Sequence, residues 1–431
     1  MNKRLLGCIA DDFTGATDLA NNLVRAGMRV VQVMGLPTSS LLFEADAVVV
    51  ALKSRTIPKP EAIQQSLNAL KWLREQGACQ IYFKYCSTFD STTDGNIGPV
   101  TEALMTALSD LPGSDFTIAT PAFPDNNRTV FKGHLFVGEV LLNESGMQDH
   151  PLTPMNDPNL VRVLQDQCQV KVGLVDYQVV KKGEVAIRAR FEELKDDGVQ
   201  IAVVDAISND DLMRLGPALS NMPLITAGSG VAIGLPGNFG LKPSNLASQL
   251  PVPKGTRAVI SGSCSSMTNL QVKAFLENGW PAFQVHPEVG DISPISGEKI
   301  VREVLTWASN QKSKNPILVY SSANPEVVKL AQDKWGVAQL GAWVENVLSS
   351  VALGLIRDGV AQLVVAGGET SGACVQALGI KQMTIGPQID PGVPWCYATC
   401  QESNFDSIHI SLKSGNFGGV GFFEKAFGCL T

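Results

Sequence analysis

The sequence has few of the features that mark membrane or secreted proteins. Within its 431 residues no apolar run approaches the ~18 residues that a membrane span requires. The basic start at Lys3 and Arg4 is followed by an apolar stretch that Asp11 interrupts, which is too short for a secretory signal. The nine cysteines are scattered and form no CxxC pair, so we expect reduced, mostly buried thiols in a cytoplasmic protein.

Positive charge is also scarce. The chain has 34 lysines and arginines against 41 aspartates and glutamates, a formal net charge of -7 at pH 7. Because proteins that bind nucleic acid in general carry a basic patch, this balance disfavours a nucleic-acid partner. An anionic ligand would need a local group of cations or a bridging metal.

Two common nucleotide-binding motifs are missing. The Walker A pattern GxxxxGK[ST] does not occur. The stretch TAGSGVAIG imitates GxGxxG from Gly228, but Gly234 comes one place late and no acidic residue follows at the expected distance. A nicotinamide-dependent dehydrogenase is therefore the weaker hypothesis for an enzyme.

Short β-rich apolar runs alternate with helical patterns along the chain. The runs include RLLGCIA, MRVVQVM, ADAVVVAL and CQIYFKYC, and TDLANNLVRAG repeats apolar residues at helical spacing. A proline-containing stretch without periodicity, residues 241–255, is typical of a linker. Strand–helix alternation is typical of parallel sheets covered by helices. We therefore predict two α/β domains with mostly parallel sheets, helices on both faces and an active site in the cleft between the domains.

One segment, TPAFPDNNRTVFKGHLFVGEVLLNESGM, departs from this alternation. Its turn residues and short alternating runs predict a hairpin excursion. Such an insertion at the edge of a sheet would suit either a cover over a ligand or a contact in a homodimer. The sequence leaves both interpretations open.

Two adjacent carboxylates, Asp11 and Asp12, end the first apolar run. In open α/β sheets, ligands lie beyond the carboxyl ends of strands. Carboxylates there can accept hydrogen bonds from hydroxyl groups, hold Mg²⁺ through water or act as a base. The structural alternative is a cap for the helix TDLANNL, which needs only one such residue. Because neighbouring carboxylates repel each other, the pair favours a function over capping.

Cationic residues lie in or shortly after other predicted strands. Arg55 lies in the KSRT stretch after ADAVVVAL, Lys84 lies inside CQIYFKYC, and Arg128 follows DFTIAT. A lysine within an apolar strand is costly to bury unless it is paired or faces a ligand. We expect the three to bind a substrate carboxylate, for which arginine is best suited. Each taken singly is equally compatible with an ordinary surface charge.

Small residues end several strands in the second half of the chain. Small residues allow close approach of the backbone, and the start of a helix favours phosphate, so these loops predict a nucleotide site. The alternative is a set of ordinary tight turns. The candidate nucleotide-binding residues are Ser261, Ser263, Gly367, Gly368, Glu369, Thr370, Ser414 and Gly415.

Six stretches in order along the chain carry a resemblance: IADDFTGA, KSRT, FKYCSTFDST, TPAFPDNNRTV, ISGSCS and AGGETSG. They resemble the four-carbon acid-sugar kinase family over nearly the whole chain. The segment from Gly133 to Leu164 and the stretch KYCSTFDSTTDGNIGP resemble its 3-oxo-tetronate kinase branch. The second stretch departs from the KxDSTLRGN form of erythronate and threonate kinases, because no arginine precedes Gly95. The cation that holds the substrate carboxylate is therefore left open.

The resemblance implies a sugar-acid-binding domain (1–240), a linker (241–255) and a nucleotide-binding domain (256–431). It implies transfer of phosphate from ATP, with Mg²⁺, to the terminal hydroxyl of a small sugar acid. Asp11 and Asp12 would bind substrate hydroxyls, and Asp12 would be the catalytic residue nearest the reactive one. The alternatives are an erythronate or threonate kinase and, from a different class, a non-catalytic sensor of sugar acid or nucleotide.

Overall fold

The chain forms two compact units, Met1–Ser248 and Gln249–Thr431. The computed structural model describes residues 5–37, 44–149, 153–286, 292–311, 315–322, 325–400, 402–404 and 406–430. The boundary between the units falls inside the predicted linker, 241–255. Part of that stretch, Asn245–Ser248, is a short 3-10 helix of the first unit.

The first unit is built on a parallel sheet of eight strands. Their order in the sheet is β2-β3-β1-β4-β11-β5-β10-β9, and every neighbouring pair is parallel. The carboxyl ends of all eight therefore lie at one edge, which is the edge where the predicted site residues follow. The strands are β1 (Leu5–Ala10), β2 (Val30–Met34), β3 (Ala47–Ala51), β4 (Ala78–Lys84), β5 (Thr117–Thr120), β9 (Lys171–Val175), β10 (Val199–Val204) and β11 (Leu224–Ala227).

Helices connect these strands, as the alternating pattern predicted. The first begins at Phe13 and ends at Arg25, and Gly27 follows it with a φ of 103°, a backbone conformation that favours glycine. The helices of this unit are α1 (Phe13–Arg25), α2 (Lys59–Glu75), α3 (Ile97–Ala107), α4 (Leu160–Gln165), α5 (Tyr177–Val180), α6 (Glu184–Asp196) and α7 (Asn209–Ala218).

The excursion is a small antiparallel sheet, which confirms the predicted hairpin. Its three strands are β6 (Arg128–Phe131), β7 (His134–Val137) and β8 (Val140–Leu141). The buried carboxylate of Asp205 accepts hydrogen bonds from the backbone N–H groups of Lys132, Gly133 and Tyr177 at 2.6–2.8 Å. This anchors the turn between β6 and β7 to the main sheet, and Arg128 begins the first strand of the excursion.

The glycines that imitate a dinucleotide motif serve packing instead. The segment Ser229–Gly234 forms a 3-10 helix after β11. A side chain on Gly230 would collide with the Ala122 carbonyl, and one on Gly216 would collide with the carbonyl of Gly234. These contacts explain the TAGSGVAIG pattern by close approach of backbones, and they agree with its rejection as a nicotinamide site.

The second unit contains a mixed sheet with a parallel core. The order is β13-β14-β12-β15-β18-β17-β16; the first five strands are mutually parallel, and β16–β17 and β17–β18 pair antiparallel. The strands are β12 (Thr256–Ser261), β13 (Ala282–Gln284), β14 (Ile317–Tyr320), β15 (Val360–Ala366), β16 (Gln382–Asp390), β17 (Val393–Thr399) and β18 (Ser407–Lys413).

The antiparallel strands β16 to β18 were not among the predicted strands. Pro387 and Pro394 lie within two of them, and proline inside a run argues against a strand because it cannot donate to the ladder. The register between β16 and β17 shifts between Ile385 and Gln388, which accommodates Pro387 as a local irregularity. The turn at Asp390–Val393, with Gly392 at a φ of 78°, was the available signal for a hairpin.

One helix of the second unit is unusually long and apolar. By length and composition α11 could cross a membrane, in contrast to the sequence-based expectation that no segment comes close. Half of its most apolar stretch is buried inside the unit, and core helices of globular domains meet the same criterion, so this is weak evidence for a span. The helices are α8 (Ser266–Glu277), α9 (Pro294–Ser309), α10 (Pro325–Trp335), α11 (Val337–Arg357), α12 (Gly368–Ala377) and α13 (Phe422–Gly428).

All nine cysteines lie in the described residues and all are free thiols, five of them buried. Burial raises the pKa of Cys374 to about 12, and it also raises the pKa of Cys8 and Cys396. These thiols are therefore protonated and unreactive at neutral pH. The expectation that most of the thiols are buried is confirmed.

Candidate functional site

The strand ends of the first unit bring three loops together. Ala10 pairs with Lys84 at the ends of β1 and β4, and the Asp11 N–H donates to the Lys84 carbonyl at 3.1 Å. The Ser54 N–H donates to the Asp11 carbonyl at 2.9 Å, which places the KSRT loop beside the two aspartates. The predicted residues Asp11, Asp12, Arg55 and Lys84 therefore meet at the carboxyl edge of the sheet.

Arg55 is surrounded by carboxylates. Its guanidinium binds both oxygens of Asp11 at 2.9 Å and contacts Asp12 Oδ1 at 2.5 Å. Asp90 Oδ2 lies 3.6 Å from its Nη1. Since three carboxylates already neutralise this arginine, Arg55 organises the site and has little capacity left for an anionic substrate.

Asp12 both caps α1 and faces the cations. Its Oδ2 accepts hydrogen bonds from the Thr14 hydroxyl at 2.7 Å and the Gly15 N–H at 3.1 Å, so the structural alternative of a cap is realised. Its Oδ1 faces Arg55 and Lys84. Burial by itself would raise the pKa of Asp12, but the charges of Arg55 and Lys84 and these hydrogen bonds lower it well below its usual range. Asp12 is therefore a permanently ionised hydrogen-bond acceptor at neutral pH.

The Lys84 ammonium sits against the first turn of α1. Its side chain is 3% exposed, and its Nζ lies 3.6 Å from Asp12 Oδ1, too far for a hydrogen bond. Among the described residues this is its one ion pair, and no hydrogen bond reaches the ammonium. A side chain on Gly15 would overlap Lys84 Nζ, so the glycine creates the space that the ammonium occupies. Burial would lower the pKa of Lys84, but the charges of Asp12 and Asp11 raise it, and the lysine stays charged.

Asp18, one turn further along α1, was not recognised from the sequence. It is 5% exposed, its Oδ2 accepts a hydrogen bond from the Ser229 hydroxyl, and its Oδ1 is buried without a partner among the described residues. Burial raises the pKa of Asp18 to about 6, and the charge of Lys84 opposes that rise. No pattern in the sequence marked it, because its burial follows from the packing of the folded chain.

Asp90 also belongs to the site, in a strained loop. Phe89 and Asp90 have φ values of 66° and 40°, which are uncommon for residues other than glycine. Two side chains hold the loops that flank it: Gln167 binds the backbone of Thr92 and Gly98, and Asn96 donates to the carbonyls of Ser54 and Arg55. Strain that the surroundings maintain in this way is typical of functional sites.

Arg128 differs from Arg55 in having no acidic partner. Its Nη1 donates to the Asn126 carbonyl, its Nε is buried without a partner, and no carboxylate of the described residues lies within 4 Å. Burial lowers the pKa of Arg128, while the charges of Asp90 and Asp18 oppose this. A half-buried cation without a nearby carboxylate suits the carboxylate of a ligand.

The small-residue loops of the second unit also converge. The N–H groups of Gly262 and Ser263 both donate to the Ala366 carbonyl, at 3.0 and 3.2 Å. A side chain on Gly262 or Gly367 would press on Thr370, and one on Gly415 would press on Ser263. Three loops thus pack closely beside the starts of α8 and α12, where free N–H groups favour phosphate.

Individual members of this set have different surroundings. The Ser261 hydroxyl is fully buried and hydrogen-bonded to Ser322 at 2.8 Å, beneath the loops. Ser263 and Ser414 are half-buried, whereas Gly368 and Glu369 are exposed at the start of α12. The exposed and half-buried members are therefore the ones that a ligand can reach.

Lys413, just before the last loop, is a buried lysine without an acidic partner in the described residues. Its Nζ is within 3.2 Å of the carbonyls of Ser414, Gly415 and Phe417 and of the Thr268 hydroxyl. Burial lowers the pKa of Lys413 to about 7. The lysine therefore holds these loop carbonyls turned inward.

Family models match both units of the chain. A sugar-binding N-terminal domain matches residues 6–235, and a nucleotide-binding C-terminal domain matches residues 258–423. The two candidate sites described above each lie within one of these regions.

Curated relatives match along the full length. A 3-oxo-tetronate kinase of Burkholderia multivorans is 52% identical and covers 100% of this chain and 98% of its own. One of Pseudomonas fluorescens is 53% identical (99% and 97% covered), and one of Haemophilus influenzae is 46% identical (98% and 99% covered).

Two solved structures are similar over the whole chain. A Salmonella typhimurium LT2 protein, which carries a provisional tRNA-synthase description, has a TM-score of 0.87 at 42% identity, with 98% of both chains covered. A Haemophilus influenzae protein has a TM-score of 0.80 at 46% identity, with 99% of this chain and 100% of its own covered.

Replacing Gly15 with alanine tests the placement of Lys84. Because the new methyl group overlaps both Lys84 Nζ and Asp12 Oδ1, Gly15→Ala should displace this ion pair and reduce turnover about 10- to 100-fold, as misplacement of a reacting group by ~1 Å does. Gly237→Ala is the matched control, since no atom lies within 4 Å of the added carbon and its φ is not positive. Steady-state kinetics and thermal melting of both variants give the result. Normal turnover in a folded Gly15→Ala enzyme would show that this contact does not matter.

Proposed function

We propose a function from one premise: the chain belongs to the four-carbon acid-sugar kinase family, in its 3-oxo-tetronate kinase branch. The protein is an ATP-dependent kinase that phosphorylates the 4-hydroxyl of 3-oxo-tetronate, giving 3-oxo-tetronate 4-phosphate in sugar-acid catabolism. The observation that carries the proposal is the full-length similarity to curated kinases of this activity, which spans both the sugar-binding and the nucleotide-binding regions. ATP as phosphate donor is also the reason to place the enzyme in the cytoplasm.

The substrate carboxylate is assigned to Arg128, with Lys84 as a second cation. Arg55 is occupied by Asp11, Asp12 and Asp90, whereas no carboxylate of the described residues lies within 4 Å of Arg128. Asp11 and Asp12 then serve the polar end of the substrate as acceptors for hydroxyl groups. This division is our proposal for the cation that the missing arginine before Gly95 left open.

Asp12 is proposed to orient the attacking hydroxyl. Phosphoryl transfer asks little covalent work of the protein, and positioning and charge stabilisation account for most of the rate. A carboxylate whose pKa lies below the usual range is a weak base, but it is a good acceptor of a hydrogen bond from the 4-hydroxyl. The ammonium of Lys84 beside it would offset negative charge as the phosphoryl group arrives.

The nucleotide is assigned to the loops of the second unit, with Mg²⁺ bound to its phosphates. The described residues contain no group of three acidic, histidine or cysteine side chains able to hold an ion. That suits an ion carried by the nucleotide, since Mg²⁺ in kinases is bound by phosphates, water and one or two carboxylates. Glu369, exposed at the start of α12, is the carboxylate that would join it. When bound, the ion neutralises charge on the transferred group.

The specificity of the enzyme is tested with a panel of acids. We expect ADP release with 3-oxo-tetronate and much slower release with erythronate and threonate, measured at matched substrate concentrations. Turnover confined to erythronate or threonate would contradict the branch assignment and leave a kinase. Binding of acid and nucleotide by calorimetry, with no phosphorylated product in a single turnover at high enzyme concentration, would instead favour a sensor.

Arg128→Gln tests which cation holds the carboxylate. The variant should raise the KM for the sugar acid about 10- to 100-fold, the equivalent of one lost charged hydrogen bond, and leave the KM for ATP unchanged. Arg162→Gln is the control, because it removes an exposed ion pair with Asp157 elsewhere in the same unit. If the KM for the acid is unchanged in Arg128→Gln, the substrate carboxylate is bound by Lys84 or Arg55 instead.

Asp12→Asn tests the catalytic role of the carboxylate. Asparagine caps a helix as well as aspartate does, so the change removes the charge and keeps the cap. We expect kcat to fall about 10²- to 10⁴-fold, with a much smaller effect on the KM for ATP. Asp176→Asn, at the cap of α5, is the control for capping, and Asp11→Asn should mainly raise the KM for the acid. A folded Asp12→Asn enzyme with near-normal kcat would rule out the catalytic role.

A further inference from the structure

A cavity of about 660 Å³ lies between α9 and α11 in the second unit. Its volume is in the range of small-molecule pockets, about 300–1,000 Å³. None of the predicted ATP-binding residues lines it. It is therefore a separate feature that the phosphate loops do not account for.

The cavity lies toward the same edge of the sheet as the phosphate loops. Each of these helices ends shortly before the strand that follows it, α9 before β14 and α11 before β15, at the amino ends of those parallel strands. The earlier parts of both helices, which line the cavity, thus lie toward the carboxyl edge. The two features are also close in space: Leu348 Cδ1 lies 3.0 Å from where a side chain on Gly262 would begin, and the adjacent Val347 lines the cavity.

The walls combine apolar surface with amide groups. Val301, Ala342 and Val347 supply apolar surface, and Gln339 and Asn346 supply donors and acceptors. A flat heteroaromatic ring with a polar edge needs this combination.

The cavity is also held in shape. The indole N–H of Trp343, which lines it, donates to the Ser293 carbonyl at 3.2 Å and so ties α11 to the start of α9. Gly297 contributes to the wall, and a side chain there would press on Trp343 and Val347. The pocket is thus preformed rather than dependent on a ligand.

We propose that this cavity binds the adenine ring of the nucleotide whose phosphates occupy the small-residue loops. The assignment rests on the proposed kinase function, which supplies the nucleotide. The contact of Leu348 with Gly262 makes the cavity the neighbour of the phosphate site, and the base is the part of ATP that needs an apolar slot with polar groups at its edge.

Filling the cavity tests this. Ala342 is exposed on α11, so Ala342→Trp should fold and occupy the space. Isothermal titration of the full chain with ADP and with inorganic tripolyphosphate separates the base from the phosphates. We expect ADP affinity to fall about 10- to 100-fold, with tripolyphosphate affinity unchanged. Asn221→Trp, placed in a cavity of about 480 Å³ in the first unit, is the matched control and should change neither.

A second variant avoids adding bulk. Asn346→Leu should reduce the preference of the enzyme for ADP over inosine diphosphate, which differs at the 6-position of the base. Unchanged ADP affinity in Ala342→Trp would overturn the proposal. So would an equal loss of affinity for ADP and for tripolyphosphate in that variant, or equal affinities for ADP and tripolyphosphate in the wild-type enzyme. Failure of the wild type to phosphorylate any acid in the panel would bear on the kinase function alone, because the ADP comparison does not depend on transfer.

Discussion

The geometry of the first unit depends on one arginine that neutralises three carboxylates. Asp11, Asp12 and Asp90 come from two different loops, and without Arg55 they would repel each other in a site that is largely closed to water. Removing one partner from a buried group of charges typically costs about 3–5 kcal/mol, because the remaining charges lose their compensation. The loop that carries Arg55 is held in turn by the amide of Asn96, which donates to three of its carbonyls.

The two candidate sites offer an anion different kinds of chemical group. The first contains Arg128, which has no carboxylate of the described residues within 4 Å, and Lys84, whose ammonium lies 3.6 Å from Asp12. The second has its buried lysine turned toward backbone carbonyls, and its loops present N–H groups at the starts of helices. A single carboxylate is well matched by a guanidinium, whereas a chain of phosphates with its own magnesium is well matched by many neutral donors.

The sequence predicted the positions of the site better than the roles of its residues. Asp11, Arg55 and Lys84 could be placed together because the carboxyl ends of parallel strands share one edge, which follows from the pattern of strands and helices. The difference between Arg55 and Arg128 could not be predicted, because the number of acidic partners of each is a property of the folded chain. Asp18 was missed for a related reason: at its position on a helix an aspartate is usually solvated, and only packing against Ser229 reveals its burial.

The two carboxylates at the start of α1 have pKa values shifted in opposite directions. Asp12, paired with cations and backbone N–H, stays ionised, and Asp18, buried with one oxygen unpartnered, has a pKa of about 6. If the attacking hydroxyl had to lose its proton before it attacked, a carboxylate as acidic as Asp12 would be a poor base for the reaction. In a loose transition state the bond to the attacking oxygen is little formed, so its proton becomes acidic only late. For the role proposed for Asp12 a weak base in the right place is then sufficient, and the interactions that make Asp12 acidic are the same ones that hold it in position.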